Sequence, residues 1–259
     1  MKINKDSKRV VLQALEERGK LNVLEVAGMI GVSEATARRL FVRLEDEGLV
    51  IRTFGGVQPR RSEHSGYSFS NSASTHTREK TVIGARASLE VLPGDHIFLD
   101  SGTTVFAMAQ ALARRFEEEQ IENVKVLTNS LILTDVLTPF CKVVLVGGEI
   151  RPERRDACGF LAEEMLKRLH VKKAFLGCDA LNLDRGLMTT DERTARMNEI
   201  VIHNAASVYI IADASKIGET SFISYGGLER VDTCITDSGI SAELTELLSA
   251  RIRRLLIVE

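Results

Sequence analysis

The stretch VSEATARRLFVRLEDEGLVIRTFGG, residues 32–56, decides how this chain begins. Ser33 stands where a helix needs a cap, and Gly48 where it needs an end. Between them Ala37, Leu40, Phe41 and Leu44 fall at i, i+3, i+4 and i+7, one apolar stripe that must pack inward. Turned away from it are Ser33, Glu34, Thr36, Arg38, Arg39 and Arg43. Short polar groups at a free helix start can reach base edges, and guanidiniums can grip guanine or phosphate. Residues 49–52 and 57–58 read as two strands about the Gly55-Gly56 turn, a wing that sets Arg52 beside a nucleic-acid backbone.

Two more helices are expected upstream. Ser7 can cap one running through Val10, Val11, Ala14 and Leu15 to Gly19. Asn22 can cap a second through Leu24, Val26, Ala27 and Ile30 to Gly31, where Gly permits the turn and Val32 can plug between helices. A three-helix packing module would share these helices but not the Gly-Gly hairpin in this order. Residues 1–59 are therefore read as a winged helix-turn-helix that binds double-stranded operator DNA. The candidate contacts are Ser33, Glu34, Thr36, Arg38, Arg39, Arg43, Arg52, Gly55 and Gly56.

Charge supports the division. The net charge of -2 argues against a general nucleic-acid coat. Residues 1–61, however, hold 12 Lys and Arg against 8 Asp and Glu, leaving 22 against 28 for the rest. A basic head precedes an acidic body. Residues 60–77, RRSEHSGYSFSNSASTHT, are Ser-rich and read as a linker, with Tyr67 and Phe69 as its only large apolar groups.

From residue 78 the pattern alternates. A helix over 82–92 leads to a strand at 96–100, followed by a loop that opens a helix. Strand 124–128, helix 130–137, strand 143–147, helix 160–169 and strand 173–178 follow. Helix 192–206, strands 208–213 and 232–236, helix 241–250 and strand 254–258 complete the series. Short apolar strands separated by amphipathic helices imply a mostly parallel α/β sheet covered on both faces. Aromatics are only 5% and Trp is absent, so its core rests on Leu, Val, Ile and Ala. Residues 78–259 are expected to form an effector-binding and oligomerisation domain.

Its strongest chemical motif is Asp100-Ser101-Gly102-Thr103-Thr104, between a strand and a helix. Backbone N–H groups, a helix N-terminus and hydroxyls together make a phosphate cradle. It lacks the Lys and spacing of a Walker A loop, which argues against a nucleoside triphosphate. An ordinary capped helix would use the same residue types. Other strand ends add Asn129 and Ser130, Gly147 and Gly148, and Asp179, with Glu192 and Lys216 further on. In an open parallel sheet these ends line one rim, where ligands bind. Hydroxyl, amide, bare backbone, carboxylate and ammonium suit a phosphorylated polyol. A rival reading is a sugar-phosphate isomerase with an appended DNA-binding head, in which Asp179, Glu192 and Lys216 move the proton and steady the enediolate.

The cysteines Cys141, Cys158, Cys178 and Cys234 are scattered, with no CxxC pair and no His at ligand spacing, so neither structural zinc nor a disulfide framework is expected. No apolar run reaches membrane-spanning length and MKINKDSKRV has no apolar core of a signal peptide. A cytoplasmic protein with no metal, no cofactor and no membrane partner is expected.

Residues 32–56 resemble the DeoR family of bacterial regulators, whose run reads VS–T-I-R-R-D-L–L-E–G-x-L-x-R-x-H-G-G. Val32, Ser33, Thr36, Arg38, Arg39, Leu44, Glu45, Gly48, Arg52, Gly55 and Gly56 match. Ala37 stands for Ile, Leu40 for Asp, Phe41 for Leu and Phe54 for His. In the body, REKTVIG, IFLDSGTT, VLTNS, VVLVGGEIR, AFLGCDAL, GLMTTDE, IIADASK and CITD resemble the same family's C-terminal domain. Arg196 replaces a usual Lys, and Phe69 lacks the usual following Arg. The resemblance implies a Rossmann-like sheet related to sugar-phosphate isomerases, with no catalysis. It implies a phosphosugar effector and a homo-oligomeric repressor, dimer or tetramer, of a sugar-utilisation operon. Carried over, the effector site comprises Asp100, Ser101, Gly102, Thr103, Thr104, Asn129, Gly148, Asp179, Glu192 and Lys216.

Overall fold

A computed structural model describes residues 5–18, 20–47, 49–53, 55–59 and 67–259. The chain divides into two compact units, residues 1–71 and 72–259.

The first unit holds helices α1 (Lys5–Arg18), α2 (Val23–Ile30) and α3 (Glu34–Asp46), and strands β1 (Leu21–Asn22), β2 (Val50–Thr53) and β3 (Gly56–Pro59). The strands pair antiparallel in the order β1-β3-β2. Local chemistry sets these boundaries. Asn22 caps α2 in a reciprocal box: its side chain accepts the Glu25 N–H at 2.9 Å, while the Glu25 carboxylate accepts the Asn22 N–H at 2.7 Å. Gly31, at φ 66, ends that helix in the left-handed region. Ser33 caps α3 by accepting the Thr36 N–H. Ala37, Leu40, Phe41 and Leu44 are all buried, joining Val11, Leu15, Val26, Val50 and Val57 in one core. Ser7 is no cap, because α1 already begins at Lys5. Gly19, Gly48 and Phe54 lie outside the described residues.

Helix α4 (Phe69–Ala73) falls within the stretch expected to be linker. Residues 60–66 of that stretch lie outside the described residues, while Phe69 is buried.

The second unit contains α5 (Thr77–Ser88), β4 (His96–Leu99), α6 (Thr103–Glu117), β5 (Lys125–Thr128), α7 (Leu131–Leu137), β6 (Lys142–Leu145), β7 (Glu149–Arg151), β8 (Asp156–Cys158), α8 (Phe160–Leu166) and β9 (Val171–Leu176). It continues with β10 (Ala180–Asn182), β11 (Gly186–Thr189), α9 (Glu192–Asn204), β12 (Ala205–Ile211), β13 (Ile223–Gly226), β14 (Thr233–Asp237), α10 (Ala242–Ser249) and β15 (Arg254–Val258). Seven strands form a parallel sheet in the order β15-β14-β12-β9-β4-β5-β6. The chain builds outward from β4 to β6, then returns to the other side of β4 and builds outward to β15. The reversal between β4 and β9 is a topological switch point, where open sheets bind ligands.

Successive residues of each strand enter opposite cores. Ile97 and Leu99 join α5, α6 and α7 on one face, while Phe98 joins α8 and α9 on the other. Phe175, Ile211 and Ile235 lie with the first group; Ala174, Ile210 and Cys234 lie with the second. Two buried faces explain the continuous apolar runs of the sequence. Helix α5 starts at Thr77 instead of 82, because polar residues through Thr81 are helical too, and it ends at Ser88 in a turn through Leu89. Hairpin β7–β8 and the antiparallel sheet β10-β11-β13 are additions the sequence reading lacked. All four cysteines are free.

Candidate functional site

In the first unit, α3 and the wing face each other across a groove of about 400 Å³ lined by Arg38, Arg39, Val42, Arg52, Thr53 and Gly55. Gly56 lies on the same groove, and its backbone is held tightly: a Cβ there would stand 2.3 Å from the Leu21 carbonyl oxygen. Gly55, at φ 84, makes the turn, and its carbonyl accepts the Val23 N–H at 3.1 Å. The start of α2 and the wing tip are thereby tied together. Ser33 and Thr36 hydroxyls share a 3.0 Å hydrogen bond at the start of α3, with Glu34 exposed beside them.

The guanidiniums are held differently. Arg38 is largely exposed, 3.8 Å from Glu34. Among the described residues, Arg39 Nε reaches only the Ala35 carbonyl, at 3.4 Å. Arg43 turns to Glu47 at 3.2 Å, and Lys8 pairs with the same carboxylate. Arg52 donates to Glu45 from its side chain at 2.6 Å and from its backbone N–H at 3.1 Å. Leu40, where the resembling family has Asp, is 1% exposed and part of the core. The carboxylate that holds Arg52 is that of Glu45, further along α3. Arg38, Arg39, Arg52, Gly55 and Gly56 share the groove; Ser33, Glu34 and Thr36 stand at the helix start; Arg43 is turned away toward Glu47.

In the second unit the predicted rim assembles about the switch point. Asp100 follows β4 and is buried. Its Oδ1 accepts the Ser101 N–H at 2.6 Å and its Oδ2 accepts the Gly177 N–H at 3.2 Å. Burial raises its pKa to about 6 despite these two N–H donors, and the nearby Asp156 pushes the same way. Gly102 begins α6 with no side-chain cap, which leaves the first-turn N–H groups of Thr103 and Thr104 facing outward from the helix start. A Cβ on Gly102 would meet nothing closer than 3.7 Å. The glycine thus leaves a bare floor where packing does not demand one.

An ion-pair relay, unforeseen from the sequence, runs beside this loop. Ser101 Oγ donates to Asp156 Oδ2 at 2.8 Å. Arg151 of β7 grips Asp156 through Nε at 2.8 Å and Nη2 at 2.7 Å, and reaches Asp191 at 2.5 Å and Thr194 Oγ1 at 3.1 Å. Burial works to raise the Asp191 pKa, but the Thr194 N–H and Arg151 hold it down at about 2. Asp191 also caps α9, so the relay joins the 100–104 loop, hairpin β7–β8 and α9.

The other predicted residues divide. Asn129 is buried; its Nδ2 donates to Ala157 O at 3.1 Å, while its Oδ1 has no partner among the described residues. Asp179 Oδ2 accepts the Thr189 hydroxyl at 2.9 Å and the Thr190 N–H and hydroxyl at 2.8 and 2.9 Å, shaping the turn before α9. Lys216 lies half-buried in a short helical turn after β12, close enough to lower the Cys178 pKa against the dominant effect of burial. Glu192 is exposed at the start of α9. Ser130 is placed as a helix cap just after β5. It is fully buried and its Oγ caps α7 by accepting the Leu133 N–H at 3.3 Å. Gly148 is pinned beneath the Cys158 carbonyl, which a Cβ would meet at 2.3 Å, and Gly147 is open with nothing within 4 Å. Arg196 pairs with Glu199 at 2.7 Å and Glu163 at 3.5 Å. Arg151 and Tyr225, whose hydroxyl donates to Gly177 O at 2.7 Å, were missed. Alone in sequence, each reads as an ordinary surface charge or core aromatic.

A winged helix-turn-helix joined to a doubly wound α/β unit with an open rim defines a sequence-specific DNA-binding transcriptional regulator. Residues 9–63 match the DeoR-like helix-turn-helix domain and residues 75–238 match the DeoR C terminal sensor domain. The chain belongs to the DeoR family. It is 31% identical over 241 residues to the HTH-type transcriptional regulator GlpR of Haloferax volcanii, covering 93% of this chain and 92% of that protein. It is 32% identical to the HTH-type transcriptional repressor GlcR of Bacillus subtilis, covering 96% and 94%. It is 29% identical to a putative aga operon transcriptional repressor of Escherichia coli O157:H7, covering 91% and 87%. Among solved structures, ribose 5-phosphate isomerase A of Methanocaldococcus jannaschii aligns over 55% of each chain at 20% identity and TM-score 0.42, too partial a likeness to carry activity across. Among the described residues, no helix is long and apolar enough to cross a membrane.

Proposed function

We propose that this regulator is a cytoplasmic repressor of a sugar-utilisation operon whose grip on operator DNA is set by a phosphorylated sugar. The observation that carries the effector reading is the uncapped start of α6 at the switch point. There Ser101, Thr103 and Thr104 surround a glycine that packing leaves free, a site suited to a phosphate. The unpartnered Oδ1 of Asn129 gives a sugar hydroxyl an acceptor. Lys216 supplies positive charge to the same rim. The names of the relatives, two of them repressors, agree with repression.

The unit works as a sensor and not as an enzyme in this reading. Asp179 spends one carboxylate oxygen on three donors, and Glu192 is exposed to water, so neither is poised as a buried general base. Two or more subunits place their α3 helices in successive major grooves. Phe160 and Leu161, both exposed at the start of α8, give the α/β unit an apolar patch for self-association.

The direct experiment is a thermal-shift screen of pentose and hexose monophosphates on the full chain. A ligand that raises the midpoint and also changes operator affinity supports the reading. Steady turnover of any of these compounds at an enzyme-like rate overturns the sensor assignment.

A further inference from the structure

Lys80, in the first turns of α5, is only 7% exposed, and among the described residues no carboxylate lies within 4.0 Å of it. A buried, unpaired ammonium is costly, so its position calls for a reason. Its Nζ donates to the carbonyls of Ser72 and Thr75, each at 2.5 Å, and reaches Thr75 Oγ1 at 3.5 Å. These acceptors belong to the end of α4 and to the turn that joins it to α5, the stretch that leads back to the DNA-binding unit. Within that turn His76 sits at φ 50, a left-handed conformation uncommon for a residue other than glycine, and α5 has no side-chain cap. The Lys80 ammonium joins the Thr75 hydroxyl, which donates to Ser72 O at 3.0 Å, and the Thr77 hydroxyl, which donates to Ala73 O at 3.4 Å, in holding the turn.

The same residue lies at the ligand rim. Helix α5 leads into the start of β4 and α6 leads into the start of β5, so both helices run from the ligand rim toward the opposite end of the sheet. They cross where Gly84 meets Ala107 and Met108; a Cβ on Gly84 would stand 2.5 Å from the Met108 nitrogen. One turn upstream in each helix brings Lys80 to the level of Thr104. From the other side, the charges of Asp213 and Lys216, after β12, act on Lys80.

We propose that Lys80 is the positioning residue that ties occupancy of the rim to the chain leading into the DNA-binding unit. Its ammonium closes the 72–76 turn when the rim is empty, and leaves those carbonyls when an anion binds at the start of α6. This rests on the phosphate-site reading above. Asp213 attracts the ammonium without pairing with it, so a phosphate at the rim can draw it from the carbonyls.

Hydrogen exchange on the full chain, with inorganic phosphate and with pentose and hexose monophosphates as probes, tests it. A bound probe should slow exchange in 101–106 and speed it several-fold across 72–80. Lys80→Met should exchange fast across 72–80 with or without probe, while 101–106 still responds. Lys80→Arg, which keeps the charge, should restore the probe-dependent change. If 101–106 slows in the wild type while 72–80 stays constant, the coupling role is wrong and the phosphate site stands. If no probe slows 101–106, the site reading fails and the coupling fails with it. The wild-type and Lys80→Arg data decide the matter even if Lys80→Met does not fold.

Discussion

The Asp100 carboxylate accepts the Gly177 N–H at 3.2 Å, stitching the loop after β4 to the loop after β9 across the switch point. The two residues lie 77 positions apart in sequence, yet one buried carboxylate fixes the spacing of their loops. The site is thus built around a charge that burial disfavours, with its pKa raised from 3.8 to about 6.

That shift fixes the sign of a pH effect. Between the unfolded and folded values the folded chain keeps a proton that the unfolded chain has lost. Stability from this group is therefore greatest below about pH 4 and falls as pH rises to about 6, by roughly 3 kcal/mol in total. Asp100→Asn should remove this component. Urea unfolding of both proteins from pH 4 to pH 8 measures the difference; parallel profiles would show that Asp100 does not titrate in this window.

Arg151 offers a second test, because it is clamped between Asp156 and Asp191 while only 12% of its side chain is exposed. Arg151→Met leaves Asp156 buried with Ser101 as its remaining side-chain donor. The expected cost is roughly 3–5 kcal/mol, because an uncompensated buried charge remains. Adding Asp156→Leu should recover most of it. A single variant within about 1 kcal/mol of wild type in chemical denaturation would remove the clamp from any structural account.

The two rim glycines should separate function from packing. Gly102→Ala places its Cβ no closer than 3.7 Å to any neighbour, so stability should change by less than about 0.5 kcal/mol. The same methyl covers the floor of the proposed phosphate site, so the thermal shift given by a phosphosugar should disappear. Gly148→Ala drives a Cβ to 2.3 Å from the Cys158 carbonyl and should destabilise by about 1–3 kcal/mol. A Gly102→Ala protein that responds to phosphosugar like the wild type would place the phosphate elsewhere.

These sites differ in how far the sequence announced them. The helix-turn-helix was legible because its determinants are local: Asn22 with Glu25, Gly31, Ser33, and the stripe of Ala37, Leu40, Phe41 and Leu44. The main sheet was legible because strands buried on both faces are continuously apolar. Strands β10, β11 and β13 were not, since three- and four-residue pieces carry no period and their pairing, Leu187 with Gly226 for one, is distant in sequence. The site was half legible. Asp100 to Thr104 form a contiguous motif, but Arg151 meets Asp191 across 40 residues, and Lys80 in REKTVIG looks like any solvated helix charge. Ser130 shows why a residue type alone is ambiguous: a helix cap and a ligand donor use the same hydroxyl.

The groove of the first unit carries the last prediction. Arg38 and Arg39 are exposed and weakly held, at 3.8 Å from Glu34 and 3.4 Å from the Ala35 carbonyl, so they are available to DNA. Arg52 is different, because its two hydrogen bonds to Glu45 fix the wing against α3. Arg38→Ala or Arg39→Ala should weaken operator binding without moving the unfolding midpoint. A residue that touches phosphate should weaken all sequences alike and lower the salt slope by about 1; one that reads a base should cost about 1–3 kcal/mol and relax specificity at one position. Glu45→Ala should weaken binding through Arg52 although Glu45 carries the wrong charge to touch DNA. Gel-shift titration against a selected operator at several salt concentrations distinguishes these cases. Unchanged affinity in both Arg38→Ala and Arg39→Ala would move the DNA contact away from α3. Tighter binding in Glu45→Ala would mean that the carboxylate repels DNA more than it orders the wing.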